Sequence, residues 1–332
     1  MMRLGISLQE GYLIILATLI VLQGAGTIYG LWAQGRAATP EAVRRLAVAN
    51  SRVRMGWWLI IVFTVAWWWG MASLVVLFAI FSFFLLREFI ALTPIRHTDH
   101  WVLVVAFYLA IPAQYALVYF NLTHVFTLFI PVYLFLVLPV IAAMSHDTER
   151  YLERVAKVQW GLMICVFCVS HAPAIATLDF ESRKTSGELM LLFFLIIVFL
   201  ADLFSVLASS ALGGKALKMN PNKTVKGLTV GSCLAVIAGI GLYWLTPFSI
   251  LQTALYALAI VLSCIMGDMV ISSVKRSLGS KSWESEFYIG RGIIERLAPL
   301  TFAAPVFYHL TLIFQNFAHF PSINGPHPRG KL

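Results

Sequence analysis

The chain has 332 residues, 60% of them hydrophobic and only 12% charged, with a mean hydropathy of +0.85. About a quarter of the residues in a soluble domain are charged, so this composition excludes an ordinary soluble fold. The formal net charge of +9 does not point to nucleic acid. In a membrane protein a basic excess reports topology and attraction to anionic lipid.

Apolar runs long enough to cross the hydrocarbon layer, about 20 residues each, recur along most of the chain. They predict an all-α, polytopic integral membrane protein with about ten transmembrane helices. The second and third runs form one stretch that is too long for a single span, and Gly70 is its natural break, so a tight hairpin is expected there. The predicted spans are residues 11–32, 55–69, 71–87, 101–119, 123–144, 158–177, 188–211, 227–247, 250–274 and 298–317.

The basic residues predict how these spans are oriented. With the N-terminus outside the membrane, the inside loops hold 19 of the 24 Lys and Arg residues. The outside segments then hold only Arg3, Arg183, Lys184, Arg329 and Lys331. Because cytoplasmic loops carry the excess of Lys and Arg, both termini are expected to face outward.

The chain is expected to form one membrane domain over residues 1–332, because no repeat or linker interrupts it. The N-terminal membrane helices take up residues 1–180, and the polar features of interest lie in 181–317. The tail, 318–332, is rich in Pro and Gly and is expected to be loose.

Two aspartates lie inside predicted spans. Asp202 is in LLFFLIIVFLADLFSVLASS, and Asp268 is in LSCIMGDMVISS. An ionisable residue in a span is costly and marks a functional-site hypothesis, the alternative being a paired structural carboxylate. The loop after the Asp202 span, ALGGKALKMNPNKTVKG, has a turn signal at Asn220 and a capping residue at Thr224. Its lysines either bind phosphates or form an ordinary loop on anionic lipid; they are Lys215, Lys218, Lys223 and Lys226.

The densest charge lies in VKRSLGSKSWESEFYIGRGIIERLAP, residues 274–299. Gly290 and Gly292, on either side of Arg291, would let backbone amides approach an anion. Asp202, Asp268 and Glu295 are all close to the same membrane interface, so we expect them to converge. Such a set would suit phosphoryl chemistry on a lipid assisted by a divalent metal. The alternative is a surface amphipathic segment.

These residues resemble the integral-membrane phosphatidate cytidylyltransferases, also called CDP-diacylglycerol synthases. That family has a C-terminal signature, S-x-x-K-R-x4-K-D-x-G-x3-P-x-H-G-G-x2-D-R-x-D, and an upstream S-P-x-K-T loop that follows a helix bearing an Asp. Asn220 to Thr224 stand where the S-P-x-K-T loop is expected, after Asp202. The signature positions that match are Ser272, Lys275, Arg276, Lys281, Gly292 and Arg296. The resemblance covers most of the chain and is strongest over about 185–312.

Several positions depart from the family pattern. Ser282 replaces the Asp of K-D, Glu295 the Asp of D-R, and Ala298 the final Asp, while Gly290 and Arg291 replace the His and first Gly of H-G-G. In the family these acids are thought to hold the divalent metal and the nucleotide phosphates. Loss of a carboxylate removes a hard oxygen ligand for Mg²⁺.

The resemblance implies transfer of CMP from CTP to phosphatidate, giving CDP-diacylglycerol for phospholipid biosynthesis, in a bacterial inner membrane with the site facing the cytoplasm. It implies that Asp202, Asp268 and Lys223 are catalytic, and that Asp202, Asp268 and Glu295 hold Mg²⁺. CTP, phosphatidate and membrane lipids are the expected partners, with a homodimer as the assembly and no nucleic acid. The residues expected to bind substrate are Lys215, Asn220, Thr224, Ser272, Lys275, Arg276, Lys281, Arg291 and Arg296. Three alternatives remain open: a non-catalytic relative that binds lipid or nucleotide, a partner subunit of an active paralogue, and a lipid carrier or scramblase.

Overall fold

The structure is a computed structural model that describes residues 8–36, 40–92, 96–180, 186–217, 220, 223–277 and 293–319. These ranges contain ten long helices. They are α1 Leu8–Gln34, α2 Pro40–Trp68, α3 Met71–Ala91, α4 His100–Tyr119, α5 Thr123–Ala143, α6 Tyr151–Ala176, α7 Gly187–Leu212, α8 Val225–Gly241, α9 Ile250–Ser277 and α10 Ile293–His319. The β pairing within the described ranges is one isolated bridge, between Ala216 and Thr224.

Each predicted span falls on one of these helices, which confirms an all-α, polytopic membrane architecture. Eight of the described helices are long and apolar enough to cross a membrane. The other two are α2, whose first half is polar, and α8, which has 17 residues. Helix α8 ends at Gly241, six residues before the end of its predicted span, and one short helical turn, Tyr243–Leu245, follows it.

The break expected in the long apolar stretch occurs where the sequence places it. Helix α2 ends at Trp68, Gly70 has φ 86°, and α3 begins at Met71. Glycine adopts a positive φ without the penalty that a Cβ imposes. The second and third spans therefore form the predicted hairpin.

Helix α7 is packed among other helices, and 83% of its most apolar stretch is buried inside the protein. Such burial explains why its sequence is apolar on every face. Helix α8 packs closely against it through small residues spaced four apart, at Gly227, Gly231, Ala235 and Gly239. A Cβ added at Gly231 would collide with the backbone of Ser205 on α7. Because α7 and α8 pack so closely, the loop that joins them brings Lys223 to Asp202 on α7.

An ionic cluster ties the loop before α4 to the loop before α6. The guanidinium of Arg154 is buried, with Nε 3.1 Å from Asp99 Oδ1 and Nη1 3.1 Å from Asp147 Oδ2. Its Nη2 also donates to the Asp147 carbonyl, at 3.0 Å. A buried arginine with this many acceptors has its desolvation cost offset by hydrogen bonds. We assign this cluster a structural role.

Candidate active site

The two aspartates within spans meet at one lysine. Nζ of Lys223 lies 2.9 Å from Oδ1 of Asp202 on α7 and also pairs with Oδ2 of Asp268 on α9. The lysine side chain is only 6% exposed, and the carboxylate side chains are 11% and 15% exposed. Burial alone would lower the pKa of the Lys223 ammonium, but the charges of Asp268 and Asp202 outweigh burial and raise it. Lys223 is therefore a cation held between two anions.

The loop between α7 and α8 positions this lysine through its backbone. The Lys223 N–H donates to the Asn220 carbonyl at 3.1 Å, and the Leu217 N–H donates to the Lys223 carbonyl at 2.9 Å. Asn220 thus belongs to the turn that the sequence predicts, and its backbone helps to aim Lys223 at the two aspartates.

Thr224 caps α8, as predicted. Its Oγ1 accepts a hydrogen bond from the Gly227 N–H at 3.0 Å, the geometry of an N-cap. Its own N–H donates to Oγ of Ser209 on α7, at 2.9 Å. Because Thr224 is buried, this contact anchors the loop immediately after Lys223. The cap and the anchor explain why a Lys-Thr pair is placed here.

An arginine from α2 completes the cluster. Nε of Arg52 lies 3.1 Å from Oδ2 of Asp202, and its side chain is 10% exposed. Asp202 therefore has a cation at each carboxylate oxygen, and the cluster balances two positive charges with two negative ones. In the sequence, Arg52 is only one of the basic residues of a predicted inside loop. Its position one turn before an apolar run was the one available signal.

Two further predicted site residues, Lys275 and Glu295, meet at the start of α10. Nζ of Lys275, at the end of α9, pairs with Oε1 of Glu295. The Ile294 N–H donates to Oε2 of Glu88 on α3, at 3.4 Å. Glu295 is thus paired with Lys275 at the start of α10.

The remaining predicted substrate-binding residues are more scattered. Ser272 is half-buried on α9, Arg276 is exposed near the end of that helix, and Lys215 is exposed in the loop before α8. Arg296 lies one residue after Glu295, at the start of α10. Lys281 and Arg291 lie outside the described residues, as do Ser282 and the glycines on either side of Arg291.

The Asp202–Asp268 pair could hold a divalent cation. Mg²⁺ is commonly bound by one or two carboxylates together with water and substrate phosphates, and both aspartates already contact one cationic atom. Among the residues with a described position, no group of three His, Cys, Asp or Glu side chains could hold a metal ion. The fit therefore rests on these two carboxylates, and the inclusion of Glu295 stays a prediction.

An elongated cavity, here called the apolar cavity, opens beside this cluster. Its volume is about 150 Å³, and residues from α1, α2, α3, α6, α7 and α10 line it. Arg52, Asp202 and Arg296 are its charged lining residues, and the other walls include Phe63, Phe78 and Leu192. The lining thus combines charged and apolar side chains, the chemistry that a lipid headgroup and its acyl chain would meet.

The family assignment follows from comparison with known proteins. A profile of the cytidylyltransferase family matches residues 50–314, which include the Arg52, Asp202, Lys223 and Asp268 cluster and the apolar cavity. The chain belongs to the cytidylyltransferase family. This confirms the resemblance that the loop and the C-terminal signature indicate.

Three known proteins have sequences similar to this chain. The chain is 31% identical over 297 residues to the uncharacterized protein YnbB of Escherichia coli strain K12, covering 89% of this chain and 96% of that protein. It is 30% identical over 139 residues to the phosphatidate cytidylyltransferase of Aquifex aeolicus, covering 41% of this chain and 52% of that enzyme. The corresponding enzyme of Helicobacter pylori is 28% identical over 138 residues, covering 41% of this chain and 51% of that enzyme.

Proposed function

We propose that this membrane protein transfers CMP from CTP to the phosphate of a lipid, with phosphatidate as the substrate and CDP-diacylglycerol as the product. The observation that carries the proposal is the placement of Lys223 between Asp202 and Asp268, beside the charged lining of the apolar cavity. A lipid in that cavity would present its headgroup to the cluster.

The reaction joins an oxygen of the lipid phosphate to the α-phosphorus of CTP. The bond from that phosphorus to the oxygen bridging to the β-phosphate breaks, and pyrophosphate leaves. Lys223 provides a buried point charge for the phosphate oxygens that gain negative charge. Arg52 orients Asp202 through its ion pair, and the cap at Thr224 fixes the loop that carries Lys223.

Asp202 and Asp268 would hold Mg²⁺, and when bound this ion would neutralise charge on the CTP phosphates. With the ion between the carboxylates, Lys223 would move from that position towards the phosphate groups. The same residues would then grip the nucleotide and keep it beside the lipid.

The proposed site faces the cytoplasm, the compartment that contains CTP. Both termini face outward, and the membrane is a bacterial inner membrane. The excess of basic residues on the loops at the Lys223 side supports this orientation. Magnesium dependence, a role in phospholipid biosynthesis and assembly as a homodimer belong to the same proposal.

A non-catalytic relative that binds a lipid phosphate is the second candidate function. Ala298, which stands where the family signature has its final Asp, is 2% exposed. A Cβ at Gly267 of α9 would collide with the Ala298 carbonyl, so this position lies at the tight contact of α9 with α10. Position 298 therefore supplies packing where the signature has a carboxylate.

A CTP turnover assay on the purified full-length protein tests the proposal. Phosphatidate in liposomes would be offered with and without Mg²⁺, and both CDP-diacylglycerol and pyrophosphate would be measured. We expect both products in equal amounts and only with the metal. Phosphatidate binding without either product would instead establish the non-catalytic candidate. Restoration of the acid at Ser282 alone, by Ser282→Asp, separates a lost carboxylate from the packing change that Ala298→Asp would cause.

A further inference from the structure

We propose that Arg52, together with Arg296, binds the phosphate of a membrane phospholipid whose acyl chain lies in the apolar cavity. This deepens the proposed function, on which it rests for the identity of the reaction. It assigns lipid recognition to α2, a helix far in sequence from the loop and signature that carry the family resemblance.

The apolar cavity extends along two helices. Leu192 and Asp202 both line it and lie ten residues apart on α7, which corresponds to about 15 Å along a helix. Arg52 and Phe63 line it over a similar length of α2. The hydrocarbon core of a bilayer is about 30 Å thick, so the cavity has the depth of about one leaflet. An acyl chain would extend through it from the Arg52–Asp202 pair towards Leu192 and Phe63.

The charge of the cavity lining is the second feature. The charged lining residues are Arg52, Asp202 and Arg296, and Nε of Arg52 lies 3.1 Å from Oδ2 of Asp202. Two guanidinium groups and one carboxylate give the lining a net positive charge. Charge complementarity therefore favours an anionic headgroup over a neutral or zwitterionic one.

Arg52 brings a forked set of hydrogen-bond donors to the cavity lining. A guanidinium has five N–H donors arranged as a fork, and Arg52 presents its Nε to Oδ2 of Asp202. That contact fixes the orientation of the planar group and leaves its outer edge for a phosphate. Asp202 would then position Arg52 for the lipid as well as Lys223 for the nucleotide. The arrangement places the two phosphates on opposite sides of one carboxylate.

Photocrosslinking can test both the place and the chemistry of binding. Full-length protein in phosphatidylcholine nanodiscs would be offered phosphatidate that carries a diazirine in its acyl chain. Diacylglycerol with the same labelled chain would be the probe without a phosphate. We expect phosphatidate to label peptides from 56–63 and 192–199, about tenfold more strongly than diacylglycerol does.

Variants of α2 make the test specific to Arg52. Arg52→Gln should reduce phosphatidate labelling about tenfold and leave diacylglycerol labelling unchanged. Arg52→Lys should keep part of the preference, because a lysine supplies charge without the fork. Arg54→Gln is the matched control, since Arg54 is an exposed arginine two residues further along the same helix, and it should label as the wild type does.

Several outcomes would overturn the inference. Equal labelling of wild type and Arg52→Gln by phosphatidate would remove Arg52 from the site. Equal labelling by phosphatidate and diacylglycerol would mean an apolar cavity that does not recognise phosphate. Competition by glycerol 3-phosphate as effective as that by phosphatidate would mean a site for soluble phosphates. If Arg52→Gln does not remain monodisperse, the comparison of the two lipids on the wild type and on Arg52→Lys decides.

The same preparations separate this inference from the proposed function. Phosphatidate labelling that depends on Arg52, without CTP turnover, would leave the inference standing and remove the proposed reaction. CTP turnover in which Arg52→Gln leaves the KM for phosphatidate unchanged would support the proposed reaction and remove the inference about Arg52. When both hold, Arg52→Lys, which keeps a positive charge beside Asp202, raises the KM for phosphatidate by a larger factor than the KM for CTP.

Discussion

Nζ of Lys223, in the loop before α8, lies 2.9 Å from Oδ1 of Asp202, near the middle of α7. Both side chains are buried, and Asp202 has Arg52 at its second oxygen. Removing one partner of such a pair leaves the other as an uncompensated buried charge, which typically costs about 3–5 kcal/mol. The cluster therefore links function and stability, and each substitution in it needs a readout for both.

Asp202→Asn should abolish CTP turnover, with a loss of about 100-fold or more, because it removes the charge that holds Arg52 and Lys223 in place. The measurement is CDP-diacylglycerol formation, alongside thermal unfolding in the same detergent. The matched control is Asp179→Asn, because Asp179 is an exposed aspartate just beyond the end of α6. Normal turnover by Asp202→Asn would remove Asp202 from the catalytic centre.

Lys223→Met should make the protein bind Mg²⁺ more tightly than the wild type does. The substitution leaves two facing carboxylates without the cation between them, and such a pair attracts a divalent ion. We expect Mg²⁺ to raise the melting temperature of Lys223→Met more than that of the wild type. Lys226→Met, at an exposed lysine in the first turn of α8, should respond as the wild type does. A melting temperature of Lys223→Met that ignores Mg²⁺ would argue against a metal at this pair.

The ionic cluster around Arg154 should make stability depend on pH at the acidic end. The Glu149 backbone N–H, the Thr98 hydroxyl and Arg154 hold the pKa of Asp147 at about 2, below its usual 3.8. Because the folded state has the lower pKa, this contribution is present above about pH 3.8 and is lost as the pH falls towards 2. The melting temperature should fall more steeply below about pH 4 in the wild type than in Asp147→Asn. Parallel curves for the two proteins would show that Asp147 does not contribute.

Gly231→Ala should destabilise the protein, by about 1–3 kcal/mol or more, because the added Cβ would meet the Ser205 backbone. The displacement of α8 from α7 should also draw Lys223 away from Asp202 and reduce turnover. Gly241→Ala is the control, since a Cβ there would have no neighbour within 4 Å. Thermal unfolding and turnover of both variants give the answer, and similar results for the two would contradict the close packing described above.

Membrane orientation can be read from two introduced cysteines. Lys215→Cys precedes α8 and Asp179→Cys precedes α7, so a single crossing by α7 puts them on opposite sides. We expect a membrane-impermeant maleimide to label Asp179→Cys in intact cells and to label Lys215→Cys only after lysis. The wild type, with its four native cysteines, provides the background. The reverse pattern would place the site outside.

Much of the fold could be predicted from local sequence, because a span needs only enough consecutive apolar residues. The break at Gly70 and the cap at Thr224 were also readable, since each depends on the conformation or hydrogen bonding of one residue. The polar first half of α2 was not readable in this way. Helix α2 begins at Pro40, but hydropathy detects only its apolar half, so the predicted span begins at residue 55.

The candidate site was predictable only in part. Asp202, Asp268 and Lys223 were found because ionisable residues in or beside a span are rare and because the loop resembles S-P-x-K-T. Arg52 was missed because its role depends on the packing of α2 against α7, which brings together residues 150 positions apart. Glu295 was expected beside the aspartates, and its pairing with Lys275 reflects the meeting of α9 and α10 at one end.

The sequence by itself determined that this protein is a bundle of membrane helices and that it resembles the cytidylyltransferases. Those features follow from residue counts, apolar run lengths and local motifs. Only the tertiary structure decided which charges meet, which carboxylate a cation occupies, and that Arg52, Asp202 and Arg296 line an apolar cavity. Partner choice among buried charges depends on distances of a few ångströms between different helices, and helix packing alone sets those distances.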